Sequence, residues 1–126
     1  MTTPRHVLVV DDDQDIRFIA ERALSRVGGH RVTTATDGLQ ALEAMAAERP
    51  DAVVMDVSMP NLDGPSTWEH IRQDPDLADV PVVLLTARAH TGERADLLRL
   101  GVAGVLVKPF DPMTLSQDVA DALGWT

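Results

Sequence analysis

The sequence predicts an α/β fold: a single doubly wound domain in which a parallel five-stranded sheet, ordered 2-1-3-4-5, is covered by five helices. Three observations lead there. Five strand-length runs rich in Val, Leu and Ile are almost uninterrupted by polar residues, as in parallel strands buried on both faces. Each run is followed by a stretch with the helical period of about 3.6 residues. The 126 residues contain no repeat, linker or low-complexity tract, and their 44% apolar content suffices for one core.

The strands are expected at 5–11, 30–35, 52–56, 80–86 and 104–107. After the first, Ile16, Ile19, Ala20, Ala23, Leu24 and Val27 form one apolar stripe, with Asp13 able to cap the helix and Arg17 as its exposed neighbour. Leu39, Leu42, Met45 and Ala46 mark the core face of the second helix, which Asp37 can cap. Pro65 can open the third, which carries Trp68 and Ile71; Trp68 is read as a packing residue. Leu97, Leu98 and Leu100 belong to the fourth, closed by Gly101. Asp111 and Pro112 suit the cap and first turn of the fifth, whose apolar face is Leu115, Val119 and Leu123.

Composition narrows the function. Eleven basic residues against twenty acidic ones give a formal net charge of −9, which repels nucleic acid and anionic membranes. No apolar run is long enough to span a bilayer and no basic-then-apolar leader opens the chain, so a cytoplasmic location is expected. Zero cysteines exclude disulfides and thiolate chemistry. The histidines His6, His30, His70 and His90 are scattered without metal-ligand spacing and are taken as structural or surface residues.

In a 2-1-3-4-5 sheet, ligands bind beyond the carboxyl ends of strands 1 and 3, where the winding reverses. Strand 1 ends in Asp11, Asp12 and Asp13, and strand 3 ends in Asp56. Carboxylates converging there repel one another unless a cation joins them, and a few carboxylates with a carbonyl and waters describe a Mg²⁺ site. Strands 4 and 5 bring Thr86-Ala87 and Lys108-Pro109 to the same edge. A hydroxyl and an ammonium suit a phosphoryl group, toward which a carboxylate can act as nucleophile.

The segments VLVVDDD at 7–13, VVMDVSMPNLDG at 53–64, PVVLLTA at 81–87 and KPF at 108–110 resemble the signature blocks of response-regulator receiver domains, in order and at the expected spacings. The resemblance covers essentially the whole chain and implies one receiver domain over 1–126, with the flavodoxin-like architecture. It makes Asp56 the phosphorylation site, fed from the phosphohistidine of a sensor kinase or phosphotransfer protein. It assigns Mg²⁺ to Asp12 directly, to Asp11 largely through water, to Asp56 and to the backbone carbonyl of Ser58. Thr86, Ala87 and Lys108 would bind the phosphate and carry the switch, and the Lys108–Pro109 bond would be cis. Ser58 and Arg88 occupy the positions that tune dephosphorylation in this family, Arg88 by pairing with the phosphate. Such a domain is a signalling phosphoacceptor that assists its own phosphorylation and dephosphorylation, rather than an enzyme acting on other substrates. Its output would pass to a downstream protein target, or to an output domain that does not follow the fifth helix here.

Two rivals share the fold. A flavodoxin would need a phosphate-cradling loop after strand 1, where three aspartates instead repel phosphate. An adaptor independent of phosphorylation would lack an acid or the lysine, and none is missing; a phosphate sink or relay stays open. On the first helix Phe18 falls opposite the core stripe and is expected to contact the partner, and Ile16, although part of that stripe, is assigned to the same docking surface. One departure stands out: three residues before the lysine, where receivers place Tyr or Phe, this chain has Val105. Its side chain is too short and stiff to switch as a ring does, so a response in the segment from Arg88 to Glu93 and in the fourth helix is expected, with Gly92 giving backbone freedom.

Overall fold

The structure is a computed structural model that describes residues 4–88 and 91–125. His90 and part of the segment expected to respond to phosphorylation lie outside the described residues. Five parallel strands, β1 (His6–Val10), β2 (Arg31–Ala35), β3 (Ala52–Asp56), β4 (Val82–Thr86) and β5 (Gly104–Val107), pair in the order β2-β1-β3-β4-β5. The helices are α1 (Gln14–Arg22), α2 (Gly38–Ala47), α3 (Gly64–Gln73), α4 (Thr91–Leu98) and α5 (Leu115–Leu123).

Strand side chains alternate between two cores. Leu8, Val10, Val53, Met55 and Leu84 pack with Ala41, Met45, Trp68, Ile71 and Leu97 beneath α2, α3 and α4. Val7, Val9, Val54 and Leu85 pack with Ala20, Leu24, Leu115 and Val119 beneath α1 and α5. Both faces of β1, β3 and β4 are therefore dry, which is why their sequences carry no polar alternation.

Four expected details are corrected. Ile19, within α1 itself, is exposed; Val27 is exposed because α1 continues into a π-helical segment, Ala23–Val27, where Gly28 N–H donates to the Ala23 carbonyl at 3.2 Å. The wider turn takes more residues to come round, so Val27 misses the core face that Ala20, Ala23 and Leu24 share. On α2 the buried positions are Gly38, Ala41 and Met45, while Leu39 is exposed. The core face is set by close approach to α3: a Cβ on Gly38 would stand 2.0 Å from Thr67 Oγ1. On α4, Leu97 is buried but its neighbour Leu98 is exposed, and the chain leaves the helix before Gly101, which holds φ +101°. Asp111 caps a turn rather than α5: its carboxylate accepts from Met113 N–H at 2.8 Å, and the helix begins at Leu115.

At the edge away from the acidic cluster, the Trp125 ring lies under the Arg5 guanidinium at 4.8 Å and 5.4 Å from the His30 ring. His30 Nδ1 accepts the Arg5 N–H at 3.0 Å, which requires that nitrogen to be unprotonated. Burial, and then the Arg5 charge, hold the His30 pKa below its ordinary value. A histidine that resists protonation only when folded adds stability above its ordinary value of 6.5, and that stability is lost as pH falls from there toward the lowered folded value. Thermal melts should therefore fall more steeply with acidification in the wild type than in His30→Asn; parallel curves would assign the acid sensitivity to another group.

Candidate functional site

Each strand delivers one chemical group to the carboxyl edge of the sheet. Asp11 follows β1, is fully buried, and is fixed at both ends of its backbone: its N–H donates to the Ala35 carbonyl, and its carbonyl accepts Arg17 Nη1 at 2.8 Å. Arg17 is thus half-buried and structural, where an exposed neighbour was expected. Asp11 Oδ1 accepts Asp13 N–H at 2.9 Å, while Asp13 turns to cap α1 through Asp15 and Ile16 N–H. Asp12 between them is exposed. Asp56 ends β3 opposite Leu85 of β4 and is buried.

One carboxylate oxygen from each of Asp11, Asp12 and Asp56 lies within 4.8 Å of the others. Lys108, after β5, reaches into this cluster: Nζ donates to Asp11 Oδ2 at 2.8 Å and sits 3.2 Å from Asp56 Oδ1. The Lys108–Pro109 bond is cis. Burial, then the Asp11 charge, raise the Asp56 pKa above its ordinary value; Lys108 and the Ser58 N–H oppose them without prevailing. For Lys108 burial disfavours the ammonium, but the hydrogen bond to Asp11 and the charges of Asp11 and Asp56 outweigh it, and its pKa rises. The donor set is all oxygen and strongly anionic, which fits a hard divalent cation.

The loop after Asp56 is built to present Ser58. Val57 N–H donates to the Leu85 carbonyl and Gly64 N–H closes back on the Val57 carbonyl, each at 2.9 Å. A Cβ on Gly64 would stand 2.5 Å from the Asp56 carbonyl, so only glycine fits that closure. Asn61 holds φ +69° and donates from Nδ2 to Asp37 Oδ2 at 2.7 Å, which ties the loop to the start of α2. Sequence reading gave Asp37 only its cap, which it forms with Gln40 N–H; the Asn61 contact was not anticipated. The Asn in the turn was its only signal.

Thr86 ends β4, buried, next to exposed Ala87. Its oxygen accepts Arg88 N–H at 3.1 Å and lies 3.4 Å from Glu93 Oε1. Arg88 itself pairs with Glu93 at 3.8 Å. Glu93 was not anticipated as a neighbour of the site. Phe18 is 58% exposed, as expected, with Arg22 over its ring at 5.2 Å. It lines a groove with Val32 and Thr33 on the β2 flank of α1 whose lining includes none of Asp11, Asp12 and Asp56, while Ile16 is half-buried.

Charge decides the class. An edge with three carboxylates at its switch point repels the phosphates of nucleotide and flavin cofactors and welcomes a cation, the mark of a signalling receiver in two-component systems. The chain belongs to the response regulator receiver domain family, whose model matches residues 7–120. It is 46% identical over 110 residues to the transcriptional regulatory protein PrrA of Mycobacterium tuberculosis, covering 87% of this chain and 46% of that protein. It is 41% identical over 123 residues to a probable transcriptional regulator, ycf27, of Guillardia theta, covering 98% of this chain and 47% of the relative. The chain thus spans about half the length of these curated relatives. The chemotaxis response regulator CheY4 of Vibrio cholerae superposes with a TM-score of 0.87 at 32% identity, over 95% of this chain and 99% of that one. The receiver domain of a sensor histidine kinase from Pseudomonas aeruginosa, solved with a magnesium ion coordinated in its active site cleft, gives 0.84 at 34% identity, over 97% and 99%.

The lysine is the neutralising charge of the cluster. Lys108→Met should lower unfolding stability by about 3 kcal/mol in the absence of divalent cations, the cost of stranding buried carboxylates. Millimolar Mg²⁺ should restore part of the loss; urea unfolding with and without the ion checks both.

Proposed function

We propose that residues 1–126 form one receiver domain in which Asp56 accepts a phosphoryl group from phosphohistidine on a sensor kinase or phosphotransfer protein, changing the surface offered to its partners. The observation that carries this reading is the Lys108 ammonium held between Asp11 and Asp56 at 2.8 and 3.2 Å. A cation so placed can stay beside Asp56 while the phosphoryl charge arrives.

An Asp56 carboxylate oxygen forms the new bond to phosphorus, the bond from phosphorus to the donor imidazole nitrogen breaks, and that nitrogen keeps the electron pair. The raised Asp56 pKa reflects a carboxylate poorly solvated and so readily engaged by an incoming electrophile. Asp11, Asp12, Asp56 and the Ser58 carbonyl would hold Mg²⁺, which when bound supplies positive charge to the phosphoryl oxygens. Lys108 neutralises another oxygen, and Thr86, with Ala87 beside it, offers hydrogen bonding to the product. Ser58 and Arg88 flank the approach of water and set the lifetime of the acyl phosphate, and Phe18 with Ile16 offers the kinase a contact on α1. The named roles of the relatives suggest that the phosphorylated domain acts through a transcriptional output.

With a small phosphodonor and Mg²⁺, the wild type should incorporate hydroxylamine-labile phosphate and Asp56→Asn should incorporate none. Label retained at the wild-type rate in that variant would move the acceptor elsewhere. Phe18→Ala should slow transfer from a phosphorylated kinase several-fold and leave the small-donor rate unchanged, because only the kinase needs the α1 surface; equal slowing in both assays would remove Phe18 from docking.

A further inference from the structure

The Thr86 hydroxyl carries a single proton and has two acceptors at long range, Glu93 Oε1 at 3.4 Å and the Arg88 carbonyl at 3.5 Å. Glu93 sits in the first turn of α4, its side chain only 28% exposed, and its other oxygen lies 3.8 Å from an Arg88 guanidinium that is 75% exposed. The next residue, Arg94, donates from Nε to the Val105 carbonyl of β5 at 3.3 Å. Two consecutive residues of α4 thus join the end of β4 to β5 through polar contacts, and both contacts are near the outer limit of hydrogen-bond length.

We propose that Glu93 is a positioning residue of the acceptor site: it engages the Thr86 hydroxyl in the resting protein, and a phosphoryl group on Asp56 must take that donor from it. The proposal rests on the reading of Asp56 as the phosphoacceptor. A hydroxyl can give its proton to one acceptor at a time, so Glu93 and the phosphoryl oxygens compete for it. A phosphoryl group brings roughly −1.5 to −2 charges and three strong acceptors, enough to win against a long bond to a partly hydrated carboxylate. The same charge repels Glu93, which is left with Arg88 alone at the start of α4. The state of Asp56 reaches α4 by this exchange of acceptors and needs no ring at Val105, whose short side chain is buried in the core.

The test is a beryllofluoride titration in saturating Mg²⁺, followed by the NMR shift of the Arg88 amide, which donates to Thr86 Oγ1. Glu93→Ala should reach its midpoint at an about three- to tenfold lower beryllofluoride concentration than the wild type, since the competing acceptor is gone. Glu93→Gln keeps a neutral acceptor and should fall between them. Arg88→Ala leaves the Glu93 charge unpaired and should not tighten binding. Equal midpoints in wild type, Glu93→Ala and Glu93→Gln overturn the assignment, as does tightening by Arg88→Ala as large as that by Glu93→Ala, which would signal general loosening of α4. Absence of any uptake by the wild type overturns the acceptor reading and this proposal with it; uptake with unshifted midpoints overturns this proposal alone.

Discussion

Two carboxylates about 4 Å apart repel by about 4 kcal/mol at an effective dielectric near 20, and burial removes the water that would otherwise absorb that cost. The receiver places Asp11 and Asp56 in this situation and answers with one ammonium, Lys108, that touches both. The lysine is itself taken out of water and stays charged because the acids surround it. Each partner makes the other's burial tolerable. Asp56 keeps a raised pKa even so, first through burial and then through the Asp11 charge, and three carboxylates against one ammonium leave the cluster anionic. A site with this residual anionic character has room for a further cation, and the three converging oxygens give it a place.

Such a balance depends on position to within a fraction of an ångström, and the fold supplies it through strand register. Asp56 pairs with Leu85, Thr86 with Val107, and Lys108 N–H continues the ladder onto the Thr86 carbonyl at 2.7 Å. The groups therefore sit at successive strand ends whose backbones are fixed by a sheet that is dry on both sides. The loops are held as well: Arg17 grips the Asp11 carbonyl, and the Asn61–Asp37 bond anchors the segment that carries Ser58. Hydrogen bonds from Gln40 N–H and Asn61 hold the Asp37 carboxyl below its ordinary pKa.

Strand positions, their order and the convergence of Asp11, Asp12, Asp56, Thr86 and Lys108 were legible in the sequence because each rests on a strong local signal: a continuous apolar run, or a charged residue directly after one. Helix faces were less legible. Gly38 and Ala41 look unremarkable beside Leu39, yet the small residues face the core because α2 must approach α3 closely. The π-helical segment after α1 hides behind good helix formers, and nothing in Ala23-Leu24-Ser25-Arg26-Val27 announces a wider turn. Contacts between distant polar side chains, Asn61 with Asp37 and Glu93 with Thr86, leave no periodic trace at all. They depend on which way two loops turn, and a sequence carries that only through their tertiary packing.

The two sides of the site differ in how firmly they are held, and this difference is what a signalling domain requires. On the acidic side, Asp56 ends a core strand and Asp11 directly follows another, and Lys108 bridges them at 2.8 and 3.2 Å. On the α4 side, the links from β4 to α4 and from α4 to β5 run at 3.4 and 3.3 Å through the Glu93 and Arg94 side chains, which water can reach, and Arg88 is 3.8 Å from its partner. A charge added at Asp56 cannot easily displace the first set without unpacking the sheet. It can displace the second set at little cost, since each contact is long and has a ready substitute in solvent. Val105 fits this division: buried in the same core as Leu84, Trp68 and Leu97, it belongs to the firm side, while the looser polar contacts lie on the first turn of α4.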